Sequence, residues 1–263
     1  MEKSTIIGII LAIIAVGVGM VLKGASLSAL INPAAILIIF VGTAAALFIG
    51  FSLEEMKLFP KLMKIVFTEQ KTISKMELID MFTDWVAITR REGLLAMESK
   101  VEEIPDPFLR NGMRMIIDGN DQEFVHDVLM EDIHTMQERH RTGAQIFTQA
   151  GTYAPTLGVL GAVVGLIAAL SNLSEIEALG HLISAAFVAT LLGIFSGYVL
   201  WHPIANKLKQ KSKKEVELRL MMVEGLLSIQ TGISATAVQQ KLMVFIPTSQ
   251  REKNNDDAVK ADE

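Results

Sequence analysis

Four long apolar runs constrain this chain more than any other feature of its sequence. They are Thr5–Leu22, Pro33–Phe51, Tyr153–Leu170 and Leu182–Trp201, and each has 18 to 20 residues. A helix needs about 20 apolar residues to cross roughly 30 Å of hydrocarbon. None of the runs contains Asp, Glu, Lys or Arg. The runs therefore predict four transmembrane helices.

Short connectors, Lys23–Asn32 and Ser171–His181, join the runs in pairs. Each pair is predicted to form a helical hairpin, with longer polar segments outside the hairpins. The predicted organisation is a first transmembrane hairpin at 1–51, a cytoplasmic helical domain at 52–152, a second transmembrane hairpin at 153–201, a helical extension at 202–246 and a disordered tail at 247–263.

The segment between the second and third runs shows helical periodicity. Apolar residues recur from Leu78 to Ile88 at helical spacing, and extended β-branched alternation is absent. Ser74 followed by Glu77 predicts a capping box at the start of that helix. A single helix is expected from about Gln122 to Leu170, and the fourth span is expected to continue as a helix to Gln240. The chain is predicted to be an all-α membrane protein.

The basic residues predict the orientation in the membrane. Of the 24 Lys and Arg residues, Lys23 is the one that lies in a hairpin connector, whereas twelve lie from Lys57 to Arg141 and ten from Lys207 to Lys260. Positively charged loops stay in the cytoplasm. Both termini and the 52–152 segment are therefore expected on the cytoplasmic side of the membrane.

Composition excludes several classes of function. The net charge is −5, which argues against nucleic-acid binding, and there is no cysteine for disulfide or thiolate chemistry. The five histidines lack metal-ligand spacing, and no nucleotide-binding or hydrolase motif occurs. We predict no enzymatic activity, no metal and no cofactor.

The absence of ionisable groups from the spans has two interpretations. A carboxylate at the centre of a membrane helix costs roughly 2.5–3.5 kcal/mol, so it occurs where function requires it. The chain is either a scaffold without a transport role, or one half of an ion path whose titrating group belongs to a partner.

Small and hydroxylated residues mark the last two spans. Three glycines lie on one side of span three and two lie four residues apart in span four: Gly158, Gly161, Gly165, Gly193 and Gly197. This spacing favours close helix packing, although it occurs in many membrane proteins. Thr190 is the deepest hydroxyl of span four, and a hydrogen bond to its own helix or a functional role fits it equally well.

Two prolines, Pro155 and Pro203, occur at the cytoplasmic ends of spans three and four. A proline inside a helix removes a hydrogen bond and costs about 3 kcal/mol or more. Simple kinks would explain both residues, but their similar depth on adjacent helices also suits a hinge.

Three motifs resemble those of the MotA-like flagellar stator subunits in the MotA/TolQ/ExbB family of ion-driven motors. They are RREGLLAME at 90–98, PTLGVLGA at 155–162, and ATLLG at 189–193 with the later His202-Pro203 pair. The resemblance covers essentially the whole chain. It implies a proton-conducting torque generator that drives flagellar rotation.

The resemblance also implies roles for individual residues. Arg90 and Glu98 match residues that contact the rotor protein FliG, and eight residues along one helix would place them about 80° apart. A solvated charged surface is the competing interpretation. Pro155 and Pro203 match positions of conformational coupling, and Thr190 matches a threonine near the ion path.

The resemblance further implies the ion and the partners. Sodium-driven relatives carry a hydroxyl where this chain has Ala162 and Ala189, and fewer oxygen ligands favour protons over Na⁺. The proton-binding Asp is expected on a single-span MotB-type subunit, around which copies of this chain form a ring in the lipid bilayer.

Two rival functions remain open at this point. A TolQ/ExbB-like energiser of envelope transport usually has three spans, which the first hairpin argues against. A self-contained channel or transporter predicts ion flux from this chain alone.

Overall fold

The computed structural model describes residues 2–69, 73–171, 176–248 and 251. These residues form α-helices joined by short turns and contain no strand. The helices are α1 (Lys3–Leu22), α2 (Pro33–Ile36), α3 (Gly42–Gly50), α4 (Leu53–Met56), α5 (Phe59–Phe67), α6 (Lys75–Glu92), α7 (Glu98–Val101), α8 (Pro107–Ile117), α9 (Gln122–Leu170), α10 (Ile176–Phe195), α11 (His202–Gln230) and α12 (Ala235–Met243).

Within the described residues, four helical stretches are long and apolar enough to cross a membrane. They are Lys3–Leu22, Leu27–Gly50, Gln122–Leu170 and Leu179–Gln230. The second is not a uniform α-helix, since a 3₁₀ turn at Leu27–Leu30 precedes it and a π turn at Leu37–Val41 links α2 to α3. The predicted all-α fold with four transmembrane helices and a helical domain between spans two and three is confirmed.

The chain divides into two compact units. We call Met1–Gln70 with Arg139–Lys211 the membrane unit, and Lys71–Glu138 with Ser212–Glu263 the extramembrane unit. Helix α9 begins in the extramembrane unit and ends in the membrane unit, as predicted from its unbroken sequence.

Large apolar side chains form the core of the extramembrane unit. Phe82 of α6, Met113 of α8 and Met221 of α11 are fully buried in it. The predicted capping box opens α6: the Ser74 hydroxyl accepts the Glu77 N–H at 3.1 Å, and the Glu77 carboxylate accepts the Ser74 N–H at 2.8 Å. This second bond lowers the pKa of the Glu77 carboxyl.

The helix that continues span four ends earlier than predicted. It stops at Gln230 rather than Gln240, and Gly232 follows with a φ of +67°. Ser234 then opens α12, because its hydroxyl accepts the Ala237 N–H at 3.2 Å. A glycine in the left-handed region followed by an N-cap serine ends one helix and begins another.

Two predicted segments fall on residues without a described structure. Residues 249–250 and 252–263 of the predicted tail, and 172–175 of the second connector, lie outside the described residues.

Candidate functional site

Helices α9 and α10 pack so closely that their backbones are in contact. A Cβ atom on Gly193 would lie 2.7 Å from the Gly158 Cα, and one on Gly158 would lie 2.9 Å from the Gly193 Cα. No side chain fits at such distances, so both positions require glycine. The small-residue spacing in the sequence thus marks a real contact between spans three and four.

Small residues continue this contact in both directions, and we call the whole line the glycine seam. A Cβ on Gly161 would lie 3.3 Å from the Ala189 Cβ, and one on Gly165 would lie 3.1 Å from the Ala186 Cβ. The seam consists of Ala154, Pro155, Gly158, Gly161 and Gly165 of α9 with Ala186, Ala189, Gly193 and the following Gly197.

Pro155 lies at one end of the glycine seam. A Cβ on Gly197 would lie 2.6 Å from the Pro155 Cγ and 2.7 Å from the Gly151 carbonyl oxygen. That carbonyl precedes Pro155 by four residues, so it lacks the N–H that an ordinary helix would supply. The Gly197 backbone therefore covers the carbonyl that the proline leaves unpaired within its own helix.

A π turn, Ser196–Trp201, joins α10 to α11 just before Pro203. The His202 N–H donates to the Gly197 carbonyl, five residues earlier. His202 also reaches α9, because a Cβ on Gly151 would lie 2.8 Å from its imidazole ring. The wider turn accommodates Pro203, which has no N–H, and such turns inside helices are frequent at functional sites.

The other predicted ion-path residues flank the glycine seam. Ala189 belongs to it and is buried, whereas Ala162 and Thr190 are half-buried neighbours of Gly161 and Ala189. The Thr190 hydroxyl donates to the Ala186 carbonyl at 3.4 Å, within its own helix. This is the local bond considered from the sequence.

The structure adds residues that the sequence did not single out. The rings of Phe59, Phe147 and Trp201 pack together, with 5.0 Å between the two phenylalanine centroids. Asn32 opens α2 and also donates from its side chain to the Ala185 carbonyl of α10 at 3.3 Å. Asparagine before proline is an N-cap signal, but the contact with span four had no sequence signature.

A charged cluster holds the start of α1 against α11. The Glu2 carboxylate accepts from the Lys207 ammonium at 2.7 Å and lies 3.1 Å from the Lys211 ammonium. Hydrogen bonds from Lys207 and then Lys211 lower the pKa of Glu2 from 4.5 to about 2. Lys211 also donates to the carbonyls of Ile65 and Thr68 at the end of α5.

The two predicted rotor-contact residues do not share a helix, contrary to the prediction. Helix α6 ends at Glu92, Gly93 follows with a φ of +85°, and a 3₁₀ turn leads to α7, which begins at Glu98. Arg90 and Glu98 are both exposed, and neither forms an ion pair within the described residues. The 80° estimate for one continuous helix was wrong because the left-handed glycine ends α6.

Comparisons with known proteins cover nearly the whole chain. Residues 6–93 match the family model "Motility protein A N-terminal", and residues 100–221 match the "MotA/TolQ/ExbB proton channel family". Motility protein A of Bacillus subtilis is 57% identical over 96% of this chain and 94% of its own. The protein of the same name from Helicobacter pylori is 34% identical over 97% of this chain and 98% of its own.

Solved structures of flagellar stator complexes are among those that resemble this one. The flagellar MotAB stator complex from Bacillus subtilis matches with a TM-score of 0.92 and 57% identity, over 96% of this chain and 99% of the matched chain. The C. jejuni MotAB structure matches with a TM-score of 0.90 and 32% identity, over 94% and 97% of the two chains.

Proposed function

This chain belongs to the MotA/TolQ/ExbB proton channel family, and from that premise we infer that it is a stator subunit of the flagellar motor. The inference rests on the similarity to a chain of the Bacillus subtilis MotAB stator, which has 57% identity and a TM-score of 0.92 over nearly the full length of both chains. It is a multi-pass membrane protein. We place it in the bacterial inner membrane with both termini in the cytoplasm.

The chain forms one part of a divided proton path. Its four apolar runs carry no acidic or basic residue, so a titrating group must come from elsewhere. We assign that group to an Asp on a single-span MotB-type partner, enclosed by a ring of copies of this chain. The likeness to MotAB structures supports this assignment.

Reconstitution in cells and in vesicles tests the divided path. Expression with a MotB-type partner in cells that lack stators should restore rotation, and a protonophore should stop it. The purified chain alone in vesicles should conduct no protons. Proton flux through the chain without its partner would overturn this part of the proposal.

We propose that the glycine seam and the two prolines are where spans three and four change conformation. Pro155 packs on Gly197, and the π turn before Pro203 places His202 against Gly151. Protonation of the partner's Asp would change the packing of spans three and four at these prolines. One charge crossing the membrane releases about 2.3 kcal/mol per 100 mV, which is enough for one small conformational step.

Arg90 and Glu98 are proposed to contact charged residues of the rotor protein FliG. Both are exposed and without an ion pair inside the described part of the chain, so their charges are available to a partner. Reversing both charges together should remove most of the torque when only a few stator complexes act on the motor. Lys100→Glu, at an exposed lysine two residues beyond Glu98, is the control. Unchanged torque in the double variant would exclude this contact.

Protons are the proposed ion. Ala162 and Ala189 have no side-chain oxygen that could bind Na⁺, a hard cation that needs several oxygen ligands. Rotation should therefore persist when Na⁺ is replaced by K⁺ at constant pH. Loss of rotation in sodium-free medium would contradict the assignment.

A further inference from the structure

A cavity of about 420 Å³ lies inside the membrane unit, between α1 and the junction of α10 with α11. This volume falls in the range of about 300–1,000 Å³ that is typical of small-molecule sites. Most of its wall is apolar and includes Gly8, Ile9, Val66, Leu200 and Ile204. Pro203 also lines it, so the cavity adjoins the π turn of span four.

One end of the cavity is polar and cationic. Ser4 and Lys207 line it, and the Lys207 ammonium donates to the Ser4 hydroxyl at 3.2 Å. Lys207 shares the single carboxylate of Glu2 with Lys211. Two ammonium groups and one carboxylate leave this cluster with one net positive charge. Because the pKa of Glu2 is about 2, that charge does not change near neutral pH.

The cationic end lies where the apolar runs of α1 and span four stop. Thr5 begins the first run and Trp201 ends the fourth, and Lys207 follows Trp201 by about one and a half helical turns. Hydrocarbon gives way to lipid headgroups at such a boundary. Five lysines occur between Lys207 and Lys214, and clusters of this kind next to a span attract anionic lipids.

The cavity also opens toward a face of α1 that no other part of this chain covers. The most apolar window of α1 has no residue buried inside this chain, and Tyr198 at the cavity wall is 65% exposed. A Cβ on Gly8 would meet no atom within 4 Å, so this side of α1 leaves room for a ligand.

We propose that this cavity binds one anionic phospholipid, with an acyl chain along the apolar wall beside Gly8 and Pro203 and the phosphate at Lys207. An apolar body with a cationic end matches the two halves of such a lipid. A zwitterionic lipid would add its own positive group beside Lys207 and Lys211, so it should bind less well. The site contains none of the residues of the glycine seam, and it shares Pro203 with the conformational coupling proposed above.

Lipid retention tests this site in the full-length chain, purified as the assembly it forms with its partner. The assembly is placed in nanodiscs of equal phosphatidylglycerol and phosphatidylcholine, and retained lipid is counted by native mass spectrometry. Gly8→Leu fills the cavity, and Gly19→Leu is its control on the same helix, since Gly19 also faces open space but does not line the cavity. Lys207→Gln removes the cationic end, with the exposed Lys209 as the site of the control Lys209→Gln.

The parent assembly should retain phosphatidylglycerol selectively. Gly8→Leu should reduce this retention about tenfold. This is the effect expected when about two methylene groups of the acyl chain no longer bind in the cavity. Lys207→Gln should reduce it about fivefold, the effect of one lysine near an anionic surface. Neither control should change it by more than about twofold, roughly the effect of a distant, screened charge.

Four results would overturn the proposal. These are equal retention in all variants, equal retention of both lipids by the parent, displacement of phosphatidylglycerol by millimolar inorganic phosphate, and a changed subunit number in Gly8→Leu with lipid retention intact. The third would identify a free-phosphate site, and the fourth would show that a second copy of the chain fills the cavity.

Discussion

The core of the extramembrane unit and the α9–α10 contact of the membrane unit hold helices together in opposite ways. The extramembrane unit buries large side chains, among them Phe82, Met113 and Met221. The membrane unit instead brings the backbones of α9 and α10 into contact at Gly158 and Gly193. Water drives apolar side chains together in the first case, whereas lipid offers no such force and helices associate through close packing. The extramembrane core therefore depends on large buried side chains, whereas the contact between α9 and α10 depends on their absence.

Removing bulk from the extramembrane unit should have the largest effect on stability. Phe82 is fully buried and packs edge-on against Trp85 at 5.5 Å between ring centroids. Phe82→Ala should lower the free energy of unfolding by about 3–5 kcal/mol, since it removes a buried ring and leaves a cavity. Denaturant unfolding followed by tryptophan fluorescence measures this change.

Phe124→Ala is the matched control for this experiment, because Phe124 is 49% exposed in the same unit. It should cost less than about 1 kcal/mol. Comparable losses at the two positions would mean that the buried core does not dominate the stability of this unit.

Adding bulk to the glycine seam should have the next largest effect. Gly193→Ala places a Cβ 2.7 Å from the Gly158 Cα, and a backbone atom cannot rotate away as a side chain can. We expect a loss of about 1–3 kcal/mol, as for other overpacked sites. Thermal unfolding of the purified assembly and swimming in soft agar give the two readouts.

Gly19→Ala on α1 controls for the helix propensity of alanine. Its Cβ would meet no atom within 4 Å, so stability should stay unchanged or rise by up to about 1 kcal/mol. If Gly193→Ala were as stable as Gly19→Ala, the contact between α9 and α10 would not require glycine at its closest point, and the contrast with the extramembrane core would not hold.

The sequence predicted the features of both units that repeat along a helix. Four charge-free runs predicted four spans, and an unbroken stretch predicted the long α9. The glycine spacing also indicated the contact between spans three and four. These predictions succeed because hydrophobic periodicity and residue size act over many residues at once.

Single-residue events in the backbone were harder to predict. The helix breaks at Gly93 and Gly232 do have sequence signals, since a left-handed glycine commonly follows the last residue of a helix. The predicted spacing of Arg90 and Glu98 did not take the break at Gly93 into account, and the predicted end of the fourth helix at Gln240 did not take the break at Gly232 into account. The π turn at Ser196–Trp201 has no such signal, because one extra residue does not alter the apolar pattern of a membrane span.

The Glu2 cluster lay beyond sequence reasoning for a different reason. Glu2 and Lys207 are separated by 205 positions, and both lie in ordinary polar flanks of membrane spans. An ion pair between residues that are far apart in the sequence produces no periodic sequence pattern. The same separation explains why the cavity beside Lys207 was not foreseen.

Neutralising Glu2 should have an intermediate effect that depends on pH. Glu2→Gln removes an ion pair with Lys207 and Lys211 that is mostly shielded from solvent, and should cost about 1 kcal/mol at pH 7. The folded-state pKa of about 2 lies below the ordinary value of 4.5, so this stabilisation is present above pH 4.5. It is lost as the pH falls from 4.5 toward 2.

Thermal unfolding of parent and Glu2→Gln assemblies across this pH range checks the linkage. The difference between them should be constant from pH 7 to about pH 5 and shrink below it. Glu69→Gln, at an exposed carboxylate near the end of α5, should show no comparable difference. A difference that persisted unchanged to pH 3 would mean that Glu2 stabilises α1 by something other than its charge.

The smallest effect on stability is expected at Thr190, where structure and proposed function can be separated. Its hydroxyl makes one long bond of 3.4 Å to the Ala186 carbonyl of the same helix. Thr190→Val keeps the shape of the side chain, and hydrogen bonds in membrane helices average only about 0.6 kcal/mol. Thermal stability should therefore hardly change, whereas swimming speed should fall if the hydroxyl serves the ion path.

Thr190→Ser, which restores the hydroxyl alone, should recover most of the speed. A Thr190→Val motor that swims like the parent would assign this threonine to helix packing beside the glycine seam and exclude it from the ion path.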